Sequence, residues 1–454
     1  MADLETLLGR ICPVVRDPGA LRDLATDKSG FVGRPDLAVR PRTTDEVAAV
    51  LRAANEVPFV VVPRGAGTGR VGGAVPERGG VVLDLTSMDR IVEIDEREGI
   101  ARAEPGVRLG ALQAACEDRG LFFPPDPASA KDCSVGGAVA TCAGGLRGAK
   151  YGTMKHFVLG LTVVLPTGEV IRTGARTRKC VTGYDLTSLF VGSEGTLGVF
   201  TEATLRLIPR PEAAATLVAW YDDDASVERG VAAALDVRVV ARALEFVDAR
   251  SLAAVAAHVG RPDFARRGLL LVECDGARAA VADEIGLFRA ALAGAGAASV
   301  DVATDRAEGE ALWAARRAIS PAVTAMWPHR FAEDICVPRR EFVRMIRDLH
   351  EIAAAHGLDA LGFGHAGDGN IHASVLMQRG DAEERERGHR AVAAVFRRAL
   401  ELGGTLSAEH GISIAKREFL PLELTPANLA AQVALKRALD PRNVLNPGKI
   451  FPGT

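Results

Sequence analysis

Paired cysteines, basic tracts and long apolar runs are all missing from this 454-residue chain, and each absence removes a class of protein. The seven cysteines (Cys12, Cys116, Cys133, Cys142, Cys180, Cys274, Cys336) are scattered, odd in number and never spaced C-x-x-C. That argues against a disulfide framework, a structural zinc and an iron–sulfur cluster held by this chain. No apolar stretch approaches the ~18–20 residues of a membrane span. The N-terminal "MADLETLLGRICPVVRD" is acidic and lacks the apolar core and cleavage site of a secretory signal. Charge is nearly balanced, with 55 Lys plus Arg against 58 Asp plus Glu and a net of -3. No basic run is interleaved with aromatics, so nucleic acid is not an expected partner. The expectation is a cytoplasmic chain of two domains, because this length is large for a single core.

Glycine, by contrast, is concentrated where strands end. In "VVVPRGAGTGRVGGAVP" (60–76), Gly67, Gly69 and Gly72 spell G-x-G-x-x-G, and Asp84 follows in "VVLDL". A dinucleotide-binding βαβ unit needs a helix after those glycines. Only "GAVPERGG" separates Gly72 from the next apolar run, with Pro76 in its middle and a glycine pair at its end. A helix interior tolerates neither. The reading is strand, long glycine loop, strand, in which backbone N–H groups can still form an anion nest; a loop without ligand is the bland alternative. Further loops follow at "PPDPASAKDCSVGGAVATCAGGLRGAKYG" (124–152) and "FVGSEGTLGVFTEATLRL" (190–207). Three such loops beside strands suggest one long ligand threaded past backbone.

Around them, "TTDEVAAVLRAANE" and "LGALQAACEDRG" have helical periodicity, with Thr43 or Thr44 as N-cap and Glu46 in the first turn. Prolines in "IPRPEAA" (208–214) mark a boundary. Beyond it, alanine-rich amphipathic helices alternate with short strands such as "LLLVECD". This second region carries "GFGHAGDGNIHASV", in which His365 and His372 are seven residues apart. On one straight strand an odd offset puts them on opposite faces. The intervening Gly-Asp-Gly-Asn is turn chemistry that can bring both imidazoles to one side. Two imidazoles with a carboxylate suit a borderline divalent cation, and "SAEHGIS" offers Glu409 beside His410. A surface or turn-capping histidine is the alternative. Adjacent Arg316 and Arg317 in "LWAARRAIS" read, by themselves, as a solvated helix face.

Taken in order, "PRGAGTGRVGGAVP", "CSVGGAVATCAGGLRGAKYG", "VLGLTVVLPTGEVIRTG", "GYDLTSLFVGSEGTLGVFTEATLRL", "GHAGDGNIH", "EHGI" and "NPGKIFP" resemble the FAD-linked 2-hydroxyacid dehydrogenases of the vanillyl-alcohol-oxidase superfamily. That branch includes flavin D-lactate dehydrogenases, the D-subunit of glycolate oxidase and D-2-hydroxyglutarate dehydrogenase. The resemblance runs from about residue 35 to the C-terminus. It implies an α+β, two-domain PCMH-type FAD-binding fold: an FAD-binding domain at 34–211, and a C-terminal FAD-linked oxidase domain at 212–452. The latter is an antiparallel sheet covered by helices, and its last ~25 residues return to the FAD domain. Arg64, Gly65, Ala66, Gly67, Thr68 and Gly69 would cradle the FAD pyrophosphate. Pro125, Asp126, Ser134, Gly137, Gly144 and Tyr151 would line the nucleotide, with Glu194, Val199 and Asn446 also at the cofactor. No His occurs between residues 1 and 155, so FAD is expected to be non-covalent.

For the second domain the resemblance implies metal ligands His365, His372 and Glu409, with zinc first and manganese or iron as alternatives. His410 would be the base, and Arg316, Ser320 and Arg330 the substrate-binding residues. The implied reaction oxidises a small D-2-hydroxy acid, D-lactate or glycolate, to the 2-oxo acid by hydride transfer to flavin. Hydroxyglutarate specialists resemble "YKYDLSLP" where this chain has "RFAEDICVP", without the Lys; nearby Arg330 is a loose substitute for it. A flavin-holding electron-relay subunit is the non-catalytic alternative, and an alkyl-glycerone-phosphate synthase is disfavoured because that type carries a run of histidines after Glu409. Electrons would leave to a quinone, cytochrome, flavoprotein or iron–sulfur partner, which leaves peripheral membrane attachment and a homodimer open. Two departures stand out: Cys142 where relatives usually have Asn, and Ser413 where "EHGIG" is usual.

Overall fold

The computed structural model describes residues 2–264 and 266–453, which divide into two compact units. The first comprises residues 2–144, 153–210 and 409–453; the second comprises 145–152 and 211–408. No helix among the described residues is long and apolar enough to cross a membrane.

In the first unit, a four-stranded sheet runs in the order Val14–Val15, Leu37–Val39, Val81–Asp84, Val61–Arg64. The last three strands are parallel. Helix Thr44–Glu56 covers this sheet. The Thr43 hydroxyl accepts from the Glu46 N–H at 3.2 Å, and the Glu46 carboxylate accepts from the Arg42 N–H at 2.6 Å. Those bonds satisfy N-terminal donors that the helix itself cannot. Its apolar stripe of Val47, Val50, Leu51 and Ala54 is fully buried with Val61, Val81 and Leu83. A fully buried side chain of this size contributes roughly 1.5–3 kcal/mol. An antiparallel five-stranded sheet, Ile91–Asp95, Ile100–Ala103, Val199–Arg206, Val158–Val164, Val170–Gly174, completes the unit.

Strands Val61–Arg64 and Val81–Asp84 pair in parallel, yet no helix connects them. Parallel neighbours normally require a crossover that is usually helical. Here the connection is the glycine loop, as its proline and glycines predict. Gly67, Gly72, Gly79 and Gly80 have φ of 68°, 85°, 73° and 91°, the left-handed region glycine enters without cost. What replaces helical hydrogen bonds is the C-terminal tail. Lys449 Nζ donates to the carbonyls of Gly72, Gly73 and Val75 at 2.6–2.9 Å. Asn446 Nδ2 donates to Gly73 O at 3.2 Å. Just before it, Leu445 extends the sheet edge: the Val61 N–H donates to Val444 O, and the Asn446 N–H to Val61 O.

The second unit is a seven-stranded sheet, antiparallel throughout. Its order is Ser299–Val302, Ala213–Tyr221, Gly268–Gly276, Ala243–Asp248, Asp359–His365, Asn370–Leu376, Arg330–Cys336. Helix Phe342–Ala355 buries Phe342, Met345, Ile346, Leu349 and Ala353, a 3.6-residue stripe, against strand Asp359–His365. The opposite sheet face packs Val247, Leu271 and Phe363 with Leu252, Trp313 and Ile319 from the helices above it.

Candidate functional site

Each unit carries part of the implied chemistry. In the first unit the glycine loop lies against a second turn. Ser134 caps the short helix Val135–Ala140, accepting from the Gly137 N–H at 3.3 Å, and its hydroxyl occupies the place a Cβ on Gly65 would need. Glycine at 65 is therefore a condition of close approach. The Arg64 guanidinium is buried and turned back, donating to Thr26 O at 2.6 Å and Asp23 O at 3.1 Å. Residues 65–69 remain half-buried. Pro125 is buried, its carbonyl accepting from Gln113 Nε2 at 2.8 Å, and Asp126 beside it is half-buried.

Glu194 is buried, and Ile412 of "EHGIS" donates its N–H to Oε1 at 2.8 Å. Burial pushes this carboxyl up to about 7, against the smaller opposing pull of the Ile412 N–H and the Lys449 charge. Burial also lowers Lys449 to about 8. Asn446 ties Glu194 O to Gly73 O. Around these groups Asp27 Oδ2, Glu194 Oε2, Ser413 Oγ and Asn446 Oδ1 are buried without hydrogen-bond partners. Unpaired buried polar atoms in a glycine-lined cradle fit a large polar cofactor. Glu409 closes one side: a Cβ on Gly144 would sit 3.2 Å from its Oε2, and its Oε1 lies 3.8 Å from His410 Nε2.

Val199 does not line an open cleft. Its side chain is in the core with Val164 and Val47, and it pairs with Val164 in the sheet. Tyr151 belongs to the second unit, its hydroxyl donating to Asp275 Oδ2 at 2.8 Å. Cys142 has φ 51°, a conformation in which Asn is enriched, and its Sγ lies 3.4 Å from Thr153 Oγ1.

In the second unit, residues 366–369 turn the chain between strands Asp359–His365 and Asn370–Leu376. His365 pairs with Asn370 and Phe363 with His372, so both histidines face the same side. Their rings meet edge-to-face at 5.2 Å. Next along the sheet, Glu245 is completely buried. It receives His365 Nδ1 at 2.6 Å and Arg316 Nη2 at 2.6 Å. Burial raises the Glu245 carboxyl, but the charges of His365 and Arg316 outweigh that and hold it below the usual carboxylate value. Arg316 also stacks on Phe363, its Cζ 4.9 Å from the ring centre. Asp334 lies directly across from His372. It accepts from Asn370 Nδ2, Ser407 Oγ and the Ala408 N–H at 2.7–3.0 Å. Ser320 and Arg330 stand further along, both tied to Thr324: its hydroxyl donates to Ser320 O and accepts from Arg330 Nη2.

The sequence reading missed Glu245, Asp334 and Lys449. Glu245 and Asp334 were visible as acids inside the apolar strands "ALEFVD" and "AEDIC", where an unpaired carboxylate would be untenable.

A family described as "FAD binding domain" matches residues 35–174, and one described as "FAD linked oxidases, C-terminal domain" matches 210–450. The chain belongs to the FAD-linked oxidase family. It is 41% identical to the glycolate oxidase subunit GlcD of Bacillus subtilis over 423 residues, 93% of this chain and 90% of that one. It is 35% identical to a D-lactate dehydrogenase of Anaerostipes hadrus over 441 residues, 94% and 92% of the two chains. In fold it is similar to p-cresol methylhydroxylase, with a TM-score of 0.83 over 99% of this chain and 97% of that one at 18% identity. As a member of this family the chain is an FAD-dependent oxidoreductase with a two-domain PCMH-type fold.

Proposed function

We propose that this FAD-linked oxidase family member converts a small D-2-hydroxy acid, D-lactate or glycolate, to its 2-oxo acid. The observation that carries the reading is the pair of imidazoles, His365 and His372, on one sheet face beside Asp334. The names of the two relatives point the same way.

Bound FAD supplies the acceptor for the C2 hydride. The backbone N–H groups of the glycine loop 65–69 would hold its phosphates, Ser134, Gly137 and Gly144 would line the nucleotide, and Glu194 and Asn446 would fix the loop behind them. A divalent cation belongs to the same reading. Glu245 pairs with His365 Nδ1, the kind of carboxylate contact by which metal-binding histidines are usually oriented. His372 and Asp334 face each other across the ladder, and the family resemblance adds Glu409 as a further carboxylate ligand. Imidazoles and carboxylates in this number suit zinc, with manganese or iron second; the ion would supply Lewis acidity toward the substrate hydroxyl.

Arg316 gives Nε and Nη2 to Glu245, which leaves Nη1 for the substrate carboxylate. His410 takes the hydroxyl proton; a neutral imidazole suits that step near neutral pH. The Arg330 guanidinium is committed to Trp327 O and Thr324 Oγ1, which disfavours a substrate with a second carboxylate such as hydroxyglutarate. Electrons would then pass to a quinone, cytochrome, flavoprotein or iron–sulfur partner.

The test is anaerobic addition of D-lactate, glycolate and D-2-hydroxyglutarate to the yellow holoenzyme. Bleaching by the first two, blocked by a chelator, is expected. An absence of bleaching with every 2-hydroxy acid would favour the relay subunit instead.

A further inference from the structure

Away from the histidine face, the second unit holds a separate cavity of about 180 Å³. Leu244 and Glu245 are consecutive in one strand, so their side chains point to opposite faces. Glu245 reaches His365, whereas Leu244 lines this cavity with Ala149, Phe288 and Gly367. The segment after helix Asp224–Asp236 forms a further wall, and Arg238 and Arg339 also line the cavity. Neither guanidinium has a carboxylate within ion-pair distance among the described residues. The nearby Asp236 is engaged by Arg340 at 3.2 Å. Several other arginines of this unit are held in ion pairs, as Arg242 with Glu273, Arg250 with Asp359 and Arg398 with Asp348.

Arg238 and Arg339 both line this concave, largely apolar surface, so their guanidiniums are placed to receive one anion between them. The walls favour hydrocarbon. A water occupies roughly 30 Å³ of liquid, so the space takes about six non-hydrogen atoms. We propose that this cavity is a binding site for a short aliphatic monocarboxylate, held by Arg238 and Arg339 with its chain against Leu244 and Phe288. Its position gives it a route to the chemistry. The Gly367 N–H, in the turn between the two histidine strands, donates to Leu244 O at 3.2 Å. An occupant therefore rests on the turn and on the strand that carries Glu245. The inference is independent of the substrate assigned above.

Isothermal titration of the FAD-loaded protein with pentanoate tests it. The histidine face also attracts carboxylates, so the readout is the difference between wild type and the Arg238→Ala/Arg339→Ala variant. Both side chains are exposed, and the variant is expected to melt with the wild type. Wild type should show a saturable binding event that the variant weakens at least about tenfold, the loss of one charge-assisted contact or more. Pentanol and inorganic phosphate should each bind at least about tenfold more weakly than pentanoate. Superimposable isotherms for wild type and variant would overturn the site. Phosphate binding as tightly as pentanoate would overturn the aliphatic ligand.

Discussion

The Glu245 carboxylate receives His365 Nδ1 at 2.6 Å from one side and Arg316 Nη2 at 2.6 Å from the other, in a position with no solvent exposure. One acid thus fixes both the imidazole and the guanidinium of the proposed site. Removing one member of a buried ion pair typically costs 3–5 kcal/mol. Losing the partner that orients a metal-binding histidine costs about 10–100-fold in metal affinity. Glu245→Gln should therefore lower the melting temperature and weaken zinc binding by that range in a competition titration with a chromogenic chelator. Unchanged zinc affinity in a folded variant would remove His365 from the ligand set.

His410→Ala should retain FAD and its visible spectrum but lose flavin reduction by D-lactate or glycolate. Positioned general bases contribute about 10²–10⁴-fold. Stopped-flow absorbance under single-turnover conditions reads this directly, and a normal reduction rate would eliminate His410 as the base.

Lys449 should matter to the cofactor although it is remote in sequence from the loop it holds. Its ammonium satisfies three loop carbonyls, and each buried polar group left unpaired costs roughly 1–3 kcal/mol. Lys449→Met is expected to purify with little FAD per chain and to melt well below wild type. Full FAD occupancy would show that the tail does not hold the loop in place.

Glu194 makes stability depend on pH in a definite direction. Its native carboxyl is raised from 4.5 to about 7, so the folded state holds the proton more tightly than the unfolded state. The stabilisation this gives is complete below pH ~4.5 and is lost as pH rises through about 7. Glu194→Gln keeps an oxygen for the Ile412 N–H without the charge. Its melting temperature should exceed that of wild type at pH 8, and the gap should close toward pH 5. A gap that does not change with pH would contradict the raised carboxyl.

Ser413 has φ 32°, no solvent exposure and a hydroxyl without a partner. Ser413→Gly relieves backbone strain and an unsatisfied buried hydroxyl together. In the FAD-free protein the expected gain is about 1–2 kcal/mol, read by chemical denaturation. Cys142→Asn should act similarly but more weakly, since φ 51° suits Asn. Destabilisation by Ser413→Gly would mean that the hydroxyl has a partner of its own.

The local grammar of the chain was legible because it is set by neighbours in sequence. Thr43 and Glu46 announced the cap of helix Thr44–Glu56, and Pro76 with its flanking glycines forbade a helix between Val61–Arg64 and Val81–Asp84. The Gly-Asp-Gly-Asn turn showed that His365 and His372 could share a face, because turn chemistry and strand alternation are both local rules; that they do is seen in the paired strands. The acids were harder. Glu245 lies 120 residues from His365 and Asp334 lies 74 from Ala408, separations over which no periodicity speaks.

What the sequence determined by itself was the set of elements, the glycine loops and the kind of donor groups available. What only tertiary structure decided was which donors are already spent. Arg316 is half committed to Glu245, Arg330 is committed to Thr324 and Trp327, and the loop that reads as a phosphate cradle is itself cradled by Lys449. Buried charges and buried carbonyls must find partners, and which partner each finds is fixed by the packing of segments far apart in the chain.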